Sequence, residues 1–251
     1  MSRKRRSPRR SLLFRHDDLP DEAHRDRVGG VNETHADHRD MREIPDLADM
    51  VFDEAFWDGR YKAAPAIWSG KPNQQLVDEV SDLPPGTAID VGCGEGADVA
   101  WLVSRGWTVT GVEISQVALD RAAEHAPDAD RTTWLHLDAT QEPIPGTYDL
   151  VSAHFVHLRP GMRDDLHRRL AAATVPGGTL LVVAHHPDDL AAGVPRPPIP
   201  ELFFTADDVA AVLDPAEWTI VTSEARTRPW TDSEGREWTI TDTVLRARRR
   251  S

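Results

Sequence analysis

Residues 88–102 read AIDVGCGEGADVAWL. A short apolar run passes into glycines at 92, 94 and 96, and an amphipathic stretch follows. A turn of this composition ends a buried strand, lets a ligand approach the backbone closely and opens a helix. Taken alone, Gly92, Gly94 and Ala97 satisfy the loose dinucleotide fingerprint G-x-G-x-x-A, which is weak evidence by itself.

The charges around the turn separate the candidates. Asp90 lies two residues before the first glycine, and Glu95 lies inside the turn. Two carboxylates beside a pyrophosphate would repel it in a partly desolvated cleft, whereas they favour a positively charged ligand. S-adenosylmethionine carries a sulfonium, an ammonium and no phosphate. Glu113 follows the next apolar run, where its two oxygens can accept both ribose hydroxyls of a nucleotide or of an adenosyl cofactor. Asp138 follows the third, within reach of an adenine amino group.

Outward from this turn, strand and helix patterns alternate. Strand-like runs occupy 87–92, 107–114, 132–139, 148–155 and 179–186, and helical patterns 96–106, 115–126 and 161–174. Ser115 is placed to cap one helix, and Thr205 with Asp208 forms a capping-box signature over TADDVAAVLD. The chain closes with WTIVTSEAR and EWTITDTVLRAR, joined by too few residues for a crossover, so this pair is antiparallel. The pattern implies an α/β fold, a mostly parallel seven-stranded sheet with helices on both faces and an antiparallel last strand. Upstream, Leu47, Met50, Val51, Ala55 and Phe56 recur at helical spacing, and Asn73 is placed to cap NQQLVDEVSDL. The loop LAAGVPRPPIPELFF (190–204) is too rich in proline for a helix.

Charge divides the chain unevenly. The 251 residues carry a formal charge of −13, yet the first ten hold six basic and no acidic residues, and the last six hold four arginines. The acidic body is a poor footprint for nucleic acid. Residues 1–42 are charged, nearly free of aromatics and aperiodic, which predicts a disordered tail ahead of a domain over 43–250. His35 and His38 beside Asp37 and Asp40 lack an ordered scaffold, so no metal is expected. Arg9 and Arg10 are followed by HDDLPDEAHRDR rather than an apolar segment, which argues against export. Cys93 is the single cysteine; it admits no internal disulfide and suits the cytoplasm.

The set DVGCGEG, GVEIS, LDA, YDLVSAHF and PGGTL resembles the class I S-adenosylmethionine-dependent methyltransferases, whose sheet is Rossmann-like with a reversed last strand. FWDGRY…WSGKPN (56–73) is similar to small-molecule members of the thiopurine and tellurite-resistance type. The resemblance implies S-adenosyl-L-methionine as cofactor, with Asp90, Gly92, Cys93, Gly94 and Gly96 at its methionine end. Glu113 and Ile114 would meet the ribose and adenine, Asp138 and Ala139 the adenine edge, and His154 both cofactor and acceptor. The expected partner is a small-molecule methyl acceptor, with neither membrane nor nucleic acid, for a monomer or homodimer. His154 and His185 are the candidate bases by their place at strand ends. Trp57, Tyr61 and Trp68 are candidates for a lid or a packing helix, and His157 and Phe203 for the acceptor pocket. A nicotinamide-dependent oxidoreductase on the same turn, and a cofactor-binding protein without turnover, are the competing readings.

Overall fold

The computed structural model describes residues 50–251 except Trp68, Pro127 and Ser233, all within one compact unit. The charged tail, His35, His38 and Leu47 lie outside the described residues.

The elements in chain order are α1 Glu54–Ala63, α2 Gln74–Val80, β1 Thr87–Val91, α3 Ala97–Ser104, β2 Thr108–Glu113, α4 Gln116–Glu124 and β3 Thr132–His136. They continue with β4 Tyr148–His154, α5 Pro160–Ala172, β5 Thr174–His185, α6 Asp188–Ala191, α7 Ala206–Ala210, β6 Trp218–Thr231 and β7 Glu237–Arg249. One seven-stranded sheet has the order β3-β2-β1-β4-β5-β7-β6. Strands β1 to β5 pair in parallel, and β7 runs antiparallel to both β5 and β6. The expected fold is the observed one.

Alternate strand residues point to opposite faces, and each face is covered by helices. Ala88, Leu150, Leu181 and Val244 pack with Leu76 and Val80 of α2 and with Val99 and Leu102 of α3. Ile89, Val151, Val182 and Leu245 pack on the other face with Leu166 and Leu170 of α5 and Val209 of α7. Among the described residues no helix is long and apolar enough to cross a membrane.

Several boundaries differ from the sequence reading. Helix α1 starts at Glu54, capped by the Asp53 carboxylate on the Phe56 N–H at 2.9 Å, so the apolar spacing from Leu47 does not mark its start. The aromatic-rich FWDGRY is itself helical, Gly59 included. VPGG is absorbed into β5, with an irregular register against β4 between Tyr148 and Leu150. The proline-rich loop follows from the short α6 and holds one 3-10 turn, Pro200–Leu202, with Pro200 at the first helical position, where a missing N–H costs nothing. Strand β3 ends at His136, which leaves Asp138 in the following turn.

The chain reverses its direction of progress along the sheet between β1 and β4. In an open α/β sheet the crevice at the carboxyl ends of these two strands is where a ligand sits.

Candidate cofactor and acceptor site

At that crevice lies a cavity of about 880 Å³. Asp90, Gly92, Cys93, Gly94, Gly96, Glu113, Ile114, Asp138, Ala139 and His154 all line it. The glycine turn is shaped by its neighbours. Gly96 caps α3 at φ 83°, and a Cβ there would stand 2.7 Å from the Trp134 ring. No larger residue fits that backbone or that space.

The turn spends its own donors internally. The N–H groups of Gly92 and Cys93 both donate to the Val112 carbonyl, at 2.8 and 3.0 Å, and that of Gly96 donates to the Cys93 carbonyl at 2.9 Å. The Gly94 N–H donates to Glu113 Oε2 at 3.0 Å, and the other Glu113 oxygen accepts from Ser115 N–H at 3.0 Å. A phosphate-binding turn presents such groups to its anion; here four of them already have partners. Burial pushes the Glu113 carboxyl above its ordinary value, against the pull of the Ser115 and Gly94 N–H groups.

Three groups form the polar floor. Oxygen or nitrogen atoms of Asp90, Asp98 and His154 lie within 4.8 Å of one another. Asp90 is 2% exposed and accepts a 2.8 Å hydrogen bond from Ser152 Oγ. Burial, with Asp98 beside it, raises the Asp90 carboxyl to about 7. His154 Nδ1 meets Asp98 Oδ2 at 2.7 Å. The second Asp98 oxygen accepts the Asn73 N–H at 2.6 Å.

Glu95 does not play the part its charge suggested. Arg121 pairs with it at 2.8 Å, and its other oxygen accepts the Ile67 N–H at 3.1 Å. Arg121 also donates to the carbonyls of Tyr61 and Ala64 at 2.6 and 2.8 Å. The carboxylate straps the segment after α1 to the glycine turn, and its charge is balanced there. Asp138 Oδ1 accepts from Thr140 N–H and Oγ1 at 2.9 and 2.6 Å, a turn-stabilising use, while the residue still lines the cavity. Cys93 is free and buried, and burial with the Asp90 and Glu113 charges pushes its thiol well up, which suits packing and not nucleophilic attack.

The cavity continues into a chamber walled by rings. Phe52, Trp57, Tyr61, Phe155, His157 and His185 line it, with Arg196 and Arg228 among its residues. The His157 ring stands 6.1 Å from Phe52, 5.9 Å from Trp57 and 5.6 Å from His185. Desolvation, with Arg60 and Arg196 nearby, holds His157 at about 4, so it is neutral. Trp68 lies outside the described residues. Phe203, expected as a pocket wall, is buried with Ile199 and Leu202 against Leu190 and Phe52, its ring 6.1 Å from that of His185, so it backs two rings that border the cavity. Phe52, Phe155, Asp98 and Arg121 were missed by sequence reasoning, although an aspartate in the first turn of the helix after the glycines was a visible clue to Asp98.

A buried carboxylate that favours a cation, a second buried carboxylate beside the turn and four glycine-turn N–H groups already partnered suit the sulfonium, ammonium and ribose of an adenosyl cofactor. Together they define a domain of the nucleoside-cofactor α/β class that holds a phosphate-free ligand. Residues 88–178 match the family model described as a methyltransferase domain. The chain is 33% identical over 187 residues to a thiopurine S-methyltransferase of Xanthobacter autotrophicus, covering 64% of this chain and 88% of that one. It is 30% identical over 148 residues to a probable thiol methyltransferase 2 of Arabidopsis thaliana, covering 55% of this chain and 65% of that one, just under two thirds of the plant protein. The solved structure of TehB from Haemophilus influenzae shares the fold at 19% identity and a TM-score of 0.60, over 79% of this chain and 67% of that one. The chain belongs to the class I S-adenosylmethionine-dependent methyltransferases, and its cofactor is S-adenosylmethionine.

Proposed function

We propose that the protein transfers the cofactor's methyl group to a small, flat, unsaturated acceptor bound in the ring-lined chamber. The observation that carries this reading is the chamber itself: Phe52, Trp57, Phe155, His157 and His185 border the same cavity as Asp90 and Glu113. Planar rings stack in such a box with offset or edge geometry at little entropic cost. Asp90 and Glu113 hold the cofactor at its methionine and ribose ends, Ile114, Asp138 and Ala139 hold the adenine, and Gly92, Gly94 and Gly96 let it close on the backbone. When bound, the cofactor supplies a methyl carbon activated by sulfonium; the chain supplies alignment and a water-poor chamber. The reaction is assigned to the cytoplasm, needs neither membrane nor nucleic acid, and is carried out by a monomer or homodimer.

The test is transfer of labelled methyl from S-adenosylmethionine to thiophenols, mercaptopyridines and phenols, set beside aliphatic amines and a structured RNA. Methylation of the aromatic group is expected, with Trp57→Ala raising its KM by about 3–10-fold. Preference for RNA would overturn the reading, as would NAD binding in a calorimeter where S-adenosylhomocysteine gives no heat.

A further inference from the structure

We propose that Asp98 and His154 form a proton-accepting pair, and that the acceptor is therefore a thiol or hydroxyl still protonated at neutral pH. This rests on the methyl-transfer reading above and adds to it a residue role and a chemical class of substrate.

The argument begins with Asp98, which is fixed by both oxygens. One accepts the Asn73 N–H at 2.6 Å, and the other meets His154 Nδ1 at 2.7 Å. A carboxylate so held accepts a proton donor and cannot offer one, so His154 carries its hydrogen on Nδ1. The lone pair of the neutral ring then sits on Nε2. That atom is buried and has no hydrogen-bond partner among the described residues, while the ring lines the cavity. A buried polar atom left unpaired costs roughly 1–3 kcal/mol, and a site that is about to receive a substrate proton has a reason to keep one.

The backbone points the same way. His154 ends β4, and Phe155 directly after it has φ 53°, the one non-glycine with positive φ among the described residues. Such a conformation costs about 1–3 kcal/mol and persists where the surroundings over-determine it, often at functional sites. Here it turns the chain sharply past His154 and lays the Phe155 ring 4.6 Å from His185. His154 thus stands between Asp90 on the cofactor side and the ring box on the acceptor side. His157, neutral between Arg60 and Arg196, is a poor alternative base.

Charges facing the ring set when it works. Burial pushes His154 down, but the Asp98 hydrogen bond and charge, with Asp90, more than offset this and raise it. The charged form of the ring is therefore favoured more than burial alone would allow. A cation seated on Asp90 offsets part of that bias and favours the neutral ring, whose Nε2 can accept a proton. In the reaction the acceptor's X–H bond breaks and the proton moves to Nε2. The X lone pair forms the new bond to the methyl carbon as the carbon–sulfur bond breaks, leaving its electron pair on sulfur. The imidazolium later returns its proton to water.

The experiment has two arms. In the first, kcat/KM is measured from pH 6 to 9 at saturating cofactor with 4-nitrothiophenol, a thiolate at neutral pH, and benzyl mercaptan, still a thiol. His154→Asn and Asp98→Asn are expected to lose about 100-fold on benzyl mercaptan and at least about tenfold less on 4-nitrothiophenol. Equal losses on both probes, or none on either, overturn the pair. In the second arm, imidazole nitrogen NMR follows His154 with and without S-adenosylhomocysteine. The neutral ring is expected as the Nδ1–H form, and Asp98→Asn, which keeps the oxygen for Asn73, is expected to lose that preference. An Nε2–H ring, or an imidazolium persisting at pH 8 in the loaded protein, refutes the relay. If the wild type methylates neither probe, the acceptor reading fails, and the NMR arm still decides the pair.

Discussion

Cofactor affinity should fall steeply below neutral pH, because the cation site must lose a proton to form. Asp90 is buried, is raised to about 7, and faces Asp98, His154, Glu113, Ser152 and the neutral Cys93 thiol. A cation binds the carboxylate and not the carboxylic acid. Below 7 each pH unit therefore weakens binding by about tenfold, or about 1.4 kcal/mol. Calorimetry with S-adenosylhomocysteine in two buffers of different ionisation enthalpy should show about one proton released at pH 6 and almost none at pH 8. Asp90→Asn should bind weakly at pH 8, with a flattened pH profile. The same carboxyl sets a stability profile without ligand. Its folded value lies above the unfolded 3.8, so the folded state holds the extra proton between about 4 and 7. Stability is then greatest below that window and lost as pH rises through it, by about 4 kcal/mol at most. Asp90→Asn should accordingly raise Tm over wild type at pH 8 and change it little at pH 4. Affinity independent of pH, with no proton released at pH 6, would refute the reasoning.

Two further perturbations address the frame of the site. Gly96→Ala forces a side chain onto a φ of 83° and to 2.7 Å from Trp134; a loss of about 2 kcal/mol is expected, read as a Tm drop of roughly 4–8 °C. Arg121→Ala leaves Glu95 and the carbonyls of Tyr61 and Ala64 without their shared guanidinium; hydrogen exchange over residues 54–67 should quicken, with stability falling by about 1–3 kcal/mol.

The sheet was legible because its signals are local and repeated. Alternating strands and helices, each bounded by a cap or a glycine, leave few topologies once crossovers must be right-handed and short. Ser115 and Asn73 cap the helices assigned to them, with the Ser115 hydroxyl accepting from Ala118 N–H at 3.3 Å. The polar floor was only half visible. Asp90 and Glu113 announced themselves by their distance from the glycines, but the pairing of Asp98 with His154 joins residues 56 positions apart. No spacing rule carries that contact. Glu95 shows the opposite failure: its charge was readable, while the arginine that neutralises it comes from a different helix. Phe203 could be named from its place near the pocket, but a proline-rich loop has no periodicity to say that its ring would pack behind His185.

The placement of β7 bears on how the chain assembles. β6 precedes β7 in sequence but lies beyond it at the sheet edge, and β7 is its one strand partner. Until β7 forms, β6 has nothing in the sheet to pair with, and β5 presents a bare apolar edge. Pairing of β6 with β7 is local, whereas pairing of β7 with β5 closes a longer stretch of chain. A chain stalled before that step exposes Leu180, Val182 and Ala184 of β5 beside unpaired backbone. This is the state in which association with another copy competes with folding.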